Sequence, residues 1–283
     1  MEASLDVKLF VPPGHFYSPV PDPGEAAEHL RRLAGPVPGA VAGITLDAAA
    51  MQQLWDVLAS GMADCDYTDE KKEDRRYYYE NEYYAYGDAL IFRSMMKHFA
   101  PERLIEIGSG FSSAVALDAR DAFGVAQHAT FIEPYPERLH SLLRQGDELR
   151  TRVLVSRVQD VDIGIFKELQ ANDILFVDSS HVMKTGSDLQ HILFEVVPHL
   201  APGVILHFHD IFWPFEYPEA WAVDQLRGWN EIYVLRAFLM GNSGFEILFF
   251  NDYYAKLHAA SVAAAAPLVA RNPGGGLWLR KTC

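Results

Sequence analysis

Two cysteines are all that 283 residues contain. Cys65 and Cys283 are too few for a disulfide framework and too far apart for zinc-ligand spacing, so a reducing, cytoplasmic setting is expected. Positive charge is also scarce: 24 Lys and Arg face 38 Asp and Glu, a formal charge of −14. Such a chain repels phosphate backbones, which argues against a nucleic-acid partner and suits neutral or cationic ligands. Long apolar runs are missing as well. The longest candidate, residues 261–270, is alanine-rich, contains Pro267 and falls short of the roughly 20 residues that cross a bilayer. Met1–Asp6 lack a basic start followed by an apolar stretch, so neither a leader nor a membrane partner is expected. With 49% hydrophobic residues, the chain has ample material for one large or two small packed domains.

Along the chain, residues 1–45 hold Pro12, Pro13, Pro19, Pro21, Pro23, Pro36 and Pro38. Proline fixes φ and removes a donor, so an irregular arm without long helices is predicted there. Ala50, Leu54, Val57 and Leu58 repeat at helical spacing and predict a short helix ending near Ser60, before Gly61. Residues 64–76 are dense in charge and read as a solvated connector. A tyrosine-rich run, Tyr77 to Tyr86, leads into a helix predicted over 82–99, broken by Pro101. We therefore divide the chain into an arm with a short helix (1–80) and a Rossmann-like domain (81–283).

In that domain, β-type runs at 104–107, 129–133, 153–155, 174–178 and 204–207 alternate with helical segments such as 113–120 and 187–197. Five strands at crossover spacing predict a parallel, doubly wound α/β sheet with helices on both faces. Two further strands, 245–250 and 277–280, are joined by an alanine-rich helical stretch and Gly274-Gly275-Gly276. That long connection permits antiparallel pairing at the sheet edge.

The strongest motif is Glu106-Ile107-Gly108-Ser109-Gly110, between the first strand and the next helix. Glycines there let the backbone turn sharply and approach a ligand, at the strand ends where open parallel sheets bind. Glu133 ends the second strand, 23 positions after Gly110, where an acid commonly meets ribose hydroxyls. Asp178, His209 and Asp210 end the fourth and fifth strands on the same rim. A dinucleotide fingerprint would put a third glycine at Ser113. Glu106, two residues before Gly108, would repel a pyrophosphate but attract the sulfonium and ammonium of S-adenosylmethionine.

In this order and spacing, the motifs resemble class I S-adenosylmethionine-dependent methyltransferases of the bacterial small-molecule type, over about residues 86–280. The resemblance implies a seven-stranded sheet of order 3-2-1-4-5-7-6 with strand 7 antiparallel. It also implies cofactor contacts from Glu106, Gly108, Ser109, Gly110, Glu133, Asp160 (adenine) and Asp178. The acceptor is expected to be a small molecule, with an oxygen nucleophile of a sugar or secondary metabolite as the leading class. His181 and His209 are the general-base candidates, since imidazole titrates near working pH. Some relatives hold a divalent metal, magnesium or manganese, at the ends of strands four and five. The corresponding positions here are Asp178, His209 and Asp210, and an imidazole among them shifts preference from magnesium towards manganese, iron or zinc.

Ile211–Pro218, with four aromatics and two prolines, and the Tyr77–Tyr86 run are expected to wall the acceptor pocket, or else to pack in the core or against another subunit of a homo-oligomer. Glu231 and Arg236 interrupt an apolar helix over 230–240, and polar groups there need partners: a buried ion pair is the favoured explanation, a contribution to the site the other. Two other functions are compatible with the glycine loop: a nicotinamide-dependent oxidoreductase, and a non-enzymatic cofactor-binding regulator.

Overall fold

A computed structural model describes residues 9–283. Its centre is a seven-stranded sheet of β1 (Arg103–Ile107), β2 (His128–Ile132), β3 (Thr151–Leu154), β4 (Ile174–Val177), β5 (Ile205–His209), β6 (Phe245–Phe250) and β7 (Gly276–Lys281). The order is 3-2-1-4-5-7-6, with β7 antiparallel to both β5 and β6, as the resemblance implied. The five parallel strands are short apolar runs because helices cover both faces of such a sheet. Phe176, Phe208, Leu206 and Trp278 are completely buried at its middle.

Helices α1 (Pro23–Leu33), α2 (Ala48–Met62), α3 (Tyr86–Phe99) and α4 (Phe111–Phe123) precede or flank the first strands. The arm is less irregular than its prolines suggested. Pro23 occupies the first turn of α1, where no N–H is needed, and the Asp22 carboxylate accepts the N–H groups of Gly24 and Glu25 at 2.8 and 3.0 Å; proline at that position starts a helix rather than breaking one. Helix α2 runs to Met62 and is built into the core, with Trp55 stacked on Phe249 at 6.1 Å. Helix α3 begins at Tyr86, not at 82, because the Asn81 side chain accepts the backbone N–H groups of Tyr83 and Tyr84 and holds them in a turn.

The charged connector also conceals a core element. Arg76 is buried, and its guanidinium reaches Asp118, Asp121 and Asp147 at 2.6–2.8 Å. Shorter helices follow: α5 (Glu137–Leu142), α6 (Gly164–Lys167), α7 (Asp188–His191), α8 (Glu231–Leu239), α9 (Asn251–Leu257), α10 (Ala259–Ala265) and α11 (Pro267–Arg271). None of these described helices is long and apolar enough to cross a membrane.

Strand register sets where chemistry can occur. Ile107 lies level with Ile132 and Val177, and Val177 with Phe208. The residues that follow, Gly108, Glu133, Asp178 and His209, therefore emerge side by side at one rim. The ladder continues to that rim through Gly108 N–H to Ile132 C=O at 3.0 Å and Asp178 N–H to Ile107 C=O at 2.9 Å.

Candidate active site

The loop after β1 passes so close to β4 that only glycine fits. Gly108 has φ +80°, and a Cβ there would sit 1.7 Å from the Asp178 carbonyl oxygen, a conformation and an approach open to glycine alone. The Glu133 carboxylate grips the same loop, accepting the Ser109 N–H at 3.0 Å and the Tyr135 N–H at 2.8 Å. Glu106 does something other than expected. Its carboxylate is completely buried beneath the loop, where the Ser112 hydroxyl donates to it and the Ser113 hydroxyl donates at 2.7 Å. Ser113 in turn accepts the Gly110 N–H at 3.0 Å. The residue that breaks the dinucleotide fingerprint thus ties the loop to Glu106. Burial pushes the Glu106 carboxyl up to about 8, against the pull of the two serine hydroxyls. Because it lines no cavity beside the loop, the charge argument made for it does not apply.

At the ends of β4 and β5, carboxylates and imidazoles interleave. His181 Nε2 lies 3.4 Å from Asp178 and 3.7 Å from Asp210, while Nδ1 meets the buried Glu231 carboxylate at 2.7 Å. Burial pulls the His181 pKa down, but Asp178 and Glu231 overcome it and raise it to about 10. Glu231 therefore forms a buried ion pair with His181, which ties it to the site. His209 is enclosed at the floor, 3.3 Å from Asp178, 3.6 Å from Asp210 and 3.4 Å from Asp88. Those three carboxylates outweigh burial and hold it well above the ordinary imidazole range. Burial likewise raises Asp178, but His209 and His181 outweigh it and keep it ionised. Burial brings Asp210 up to about 6, against the pull of the same imidazoles. Gly274 makes room for this floor, since a Cβ at its φ of +72° would lie 2.0 Å from the Asp88 carboxylate.

Loop and cluster open into one cavity of about 750 Å³. Gly108, Ser109, Gly110 and Glu133 lie at one end of its wall, with Asp88, Asp178, His181, His209 and Asp210 nearby. Tyr83 and Tyr84 contribute from the tyrosine run, whose Tyr77, Tyr79 and Tyr86 are core residues. From the stretch after β5, Trp213, Phe215 and Tyr217 are buried, and of the expected loop's four aromatics Phe212 alone faces the cavity. Pro218, Trp221, Arg227 and Trp229, just downstream, complete the wall. A second cavity of about 570 Å³ shares Gly108, Glu133 and Asp178 and extends past Val158 and Gln159.

A family model described as a methyltransferase domain matches residues 105–211, the span from β1 through the rim after β5. An uncharacterized protein of Archaeoglobus fulgidus is 34% identical over 192 residues, covering 65% of this chain and 85% of that protein. Over residues 105–211 the chain carries a methyltransferase domain. The methyltransferase is also similar in structure to the SAH-bound Podospora anserina methyltransferase PaMTH1, at 13% identity and a TM-score of 0.44, covering 98% of this chain and 100% of that one. The plantazolicin methyltransferase BpumL, crystallised with SAH and a substrate analogue, matches at 11% identity and 0.44, covering 68% and 82%.

Of the site residues expected from sequence, Gly108, Ser109, Gly110, Glu133, Asp178, His181, His209 and Asp210 all reach the main cavity of the methyltransferase. Asp160 does not. It is exposed and paired with Arg157 at 2.8 Å, outside both cavities, whereas its neighbours Val158 and Gln159 face the second one. The expected metal set changes by one residue: the three ligand atoms that approach within 4.8 Å of one another come from Asp178, His181 and Asp210. His209, deeper in the floor, is turned between Asp88 and Asp178. Sequence reasoning missed Asp88, Arg138, Trp221, Arg227 and Trp229 as wall residues. Asp88 carried a usable signal, an acid in the first turn of an otherwise apolar helix; the others carried none.

Proposed function

We propose that the methyltransferase transfers the methyl group to a hydroxyl oxygen of a small molecule, a sugar or secondary metabolite, bound in the main cavity. One observation carries this reading: the glycine loop with Glu133 and the Asp178–His181–Asp210 cluster open into the same chamber. In this reading the loop backbone and Glu133 hold the cofactor. Each Glu133 oxygen, although bonded to a backbone N–H, keeps a lone pair for a ribose hydroxyl. Val158 and Gln159 take the adenine end, and ionised Asp178 attracts the cationic end. Methyl transfer then needs the acceptor oxygen held in line and its proton removed. His181 is already protonated at neutral pH, so it orients and carries charge. Asp210, titrating near 6, receives the proton within the cluster.

The donor set also fits a divalent cation. Two carboxylates and one imidazole nitrogen converge, and Glu231 on Nδ1 would orient the ring as an outer carboxylate once Nε2 gave up its proton to the metal. Such a set suits manganese, iron or zinc better than magnesium. A cation there would lower the pKa of the acceptor hydroxyl.

Calorimetry with S-adenosylmethionine tests the reading. Saturable binding by the wild type, weakened about tenfold or more in Glu133→Ala, is expected from loss of charge-assisted hydrogen bonds. S-adenosylhomocysteine release should then follow addition of hydroxylated acceptors. No saturable binding at millimolar cofactor refutes it.

A further inference from the structure

The cavity floor is acidic, but its wall holds a cation that no carboxylate among the described residues neutralises. Arg227 fills the corner between Trp221 and Trp229, with its guanidinium carbon 4.0 and 4.6 Å from the two ring centroids. The rings meet nearly edge to face, at 78°. Nε donates to Gln225 at 2.7 Å, which fixes the plane. Among the described residues no carboxylate lies within 4.0 Å of it, although the chain carries fourteen more acidic than basic residues. A guanidinium keeps its charge, is weakly hydrated and presents a planar fork of donors; stacking covers its faces and leaves the outer edge free to pair with an oxyanion.

Position gives this cation a meaning. Trp229 also packs on the His181 ring at 4.2 Å, so a single indole separates Arg227 from the acid–imidazole cluster. The other guanidinium on the wall, Arg138, stacks over Tyr83 at 3.5 Å and lies beside Gly110. It belongs to the cofactor end of the chamber. The far end therefore presents a positive anchor, an aromatic face and then the proton-accepting cluster, in that order.

We infer that Arg227 binds an anionic group, carboxylate or phosphate, on the acceptor, whose ring or sugar face lies against Trp229 with its hydroxyl towards Asp178, His181 and Asp210. This rests on the methyl-transfer reading above and narrows its substrate class to small hydroxylated acids. It also explains how an anionic molecule enters a cavity with an acidic floor: a cation on the wall supplies a local attraction.

The test uses the full chain saturated with S-adenosylhomocysteine and follows tryptophan fluorescence. The probes are 4-hydroxybenzoate, 4-hydroxyphenyl phosphate and glucuronate, with the uncharged methyl esters of the two carboxylates. At least one anion should saturate the signal at about tenfold lower concentration than an ester, the scale of one charge-assisted pair. The benzoate and phosphate arms tell the two anions apart. Arg227→Gln should erase the preference, Arg227→Lys should restore part of it, and both should bind S-adenosylmethionine within about twofold of wild type. Equal titration by anions and esters, or saturation by none of the anions, overturns the inference. So does a tenfold loss of cofactor affinity in Arg227→Gln, which would assign the guanidinium to the cofactor's own carboxylate. Failure of the wild type to bind S-adenosylmethionine would instead refute the methyl-transfer reading, and the anion–ester comparison can still be made on the cofactor-free protein.

Discussion

Replacing Glu106 by glutamine probes how the glycine loop is held and has an outcome that can be worked from the structure. The carboxyl is completely buried, has only two serine hydroxyls for company, and rises from its ordinary 4.5 to about 8. Burial disfavours the charged form, so the folded protein holds its proton in a range where the unfolded chain has already lost it. Stability from this group is present below about 4.5, declines as pH rises, and is fully lost above about 8. The displacement corresponds to roughly 4–5 kcal/mol against the ionised form, at about 1.4 kcal/mol per pH unit. Glutamine has nearly the same shape and no charge; Ser112, with no other partner, can turn to accept from the amide. Thermal denaturation of Glu106→Gln and wild type should give similar midpoints at pH 5. The variant should gain progressively through pH 8 and then level off roughly 8 °C higher, at about 2 °C per kcal/mol for a chain of this size. A difference that is the same at pH 5 and pH 9, or that favours the wild type as pH rises, would refute the reasoning.

Arg76→Met leaves Asp118 buried without its cation and Asp147 with only the longer contacts to Arg120 and Arg150 at 3.5 and 3.9 Å, and should cost about 3 kcal/mol in denaturant unfolding. Arg157→Ala removes only the exposed pair with Asp160 and should stay within about 0.5 kcal/mol. Glu231→Gln removes one of the two carboxylates that raise His181, so the ring titration seen by NMR should move down from about 10. The pairing supports folding fully below about 6.5 and loses that support as pH climbs through about 10, so the stabilising effect of Glu231 should vanish over that same window. An unchanged His181 titration would place the cause of its raised pKa elsewhere.

How much of this was legible in the residue order depends on the range of the forces involved. Periodicity and glycine placement are local, and they located the parallel strands, the sharp turn at Gly108 and the acid at Glu133 within a few residues. The same local logic misjudged Pro23, because a proline reads as a breaker until its place in the first turn is known. It also misjudged residues 64–76, because the partners that bury Arg76, namely Asp118, Asp121 and Asp147, lie more than 40 positions away. Asp160 was assigned by its place after the third strand. Its side chain turned instead to Arg157, three residues back, a choice that strand order does not reveal.

Sequence by itself determined the alternation of strands and helices, the rim on which chemistry must occur, and an acidic character suited to a cationic methyl donor. These follow from backbone sterics, side-chain period and net charge, all of which act over a few residues or over the whole chain. Tertiary structure alone decided that Glu106 is a buried strut and that Glu231 charges His181 across 50 positions. It alone decided that Asp88 joins the floor and that a tryptophan-stacked Arg227 faces it. Those outcomes depend on desolvation and on contacts of a few ångströms between distant segments, and neither quantity is written in the order of residues.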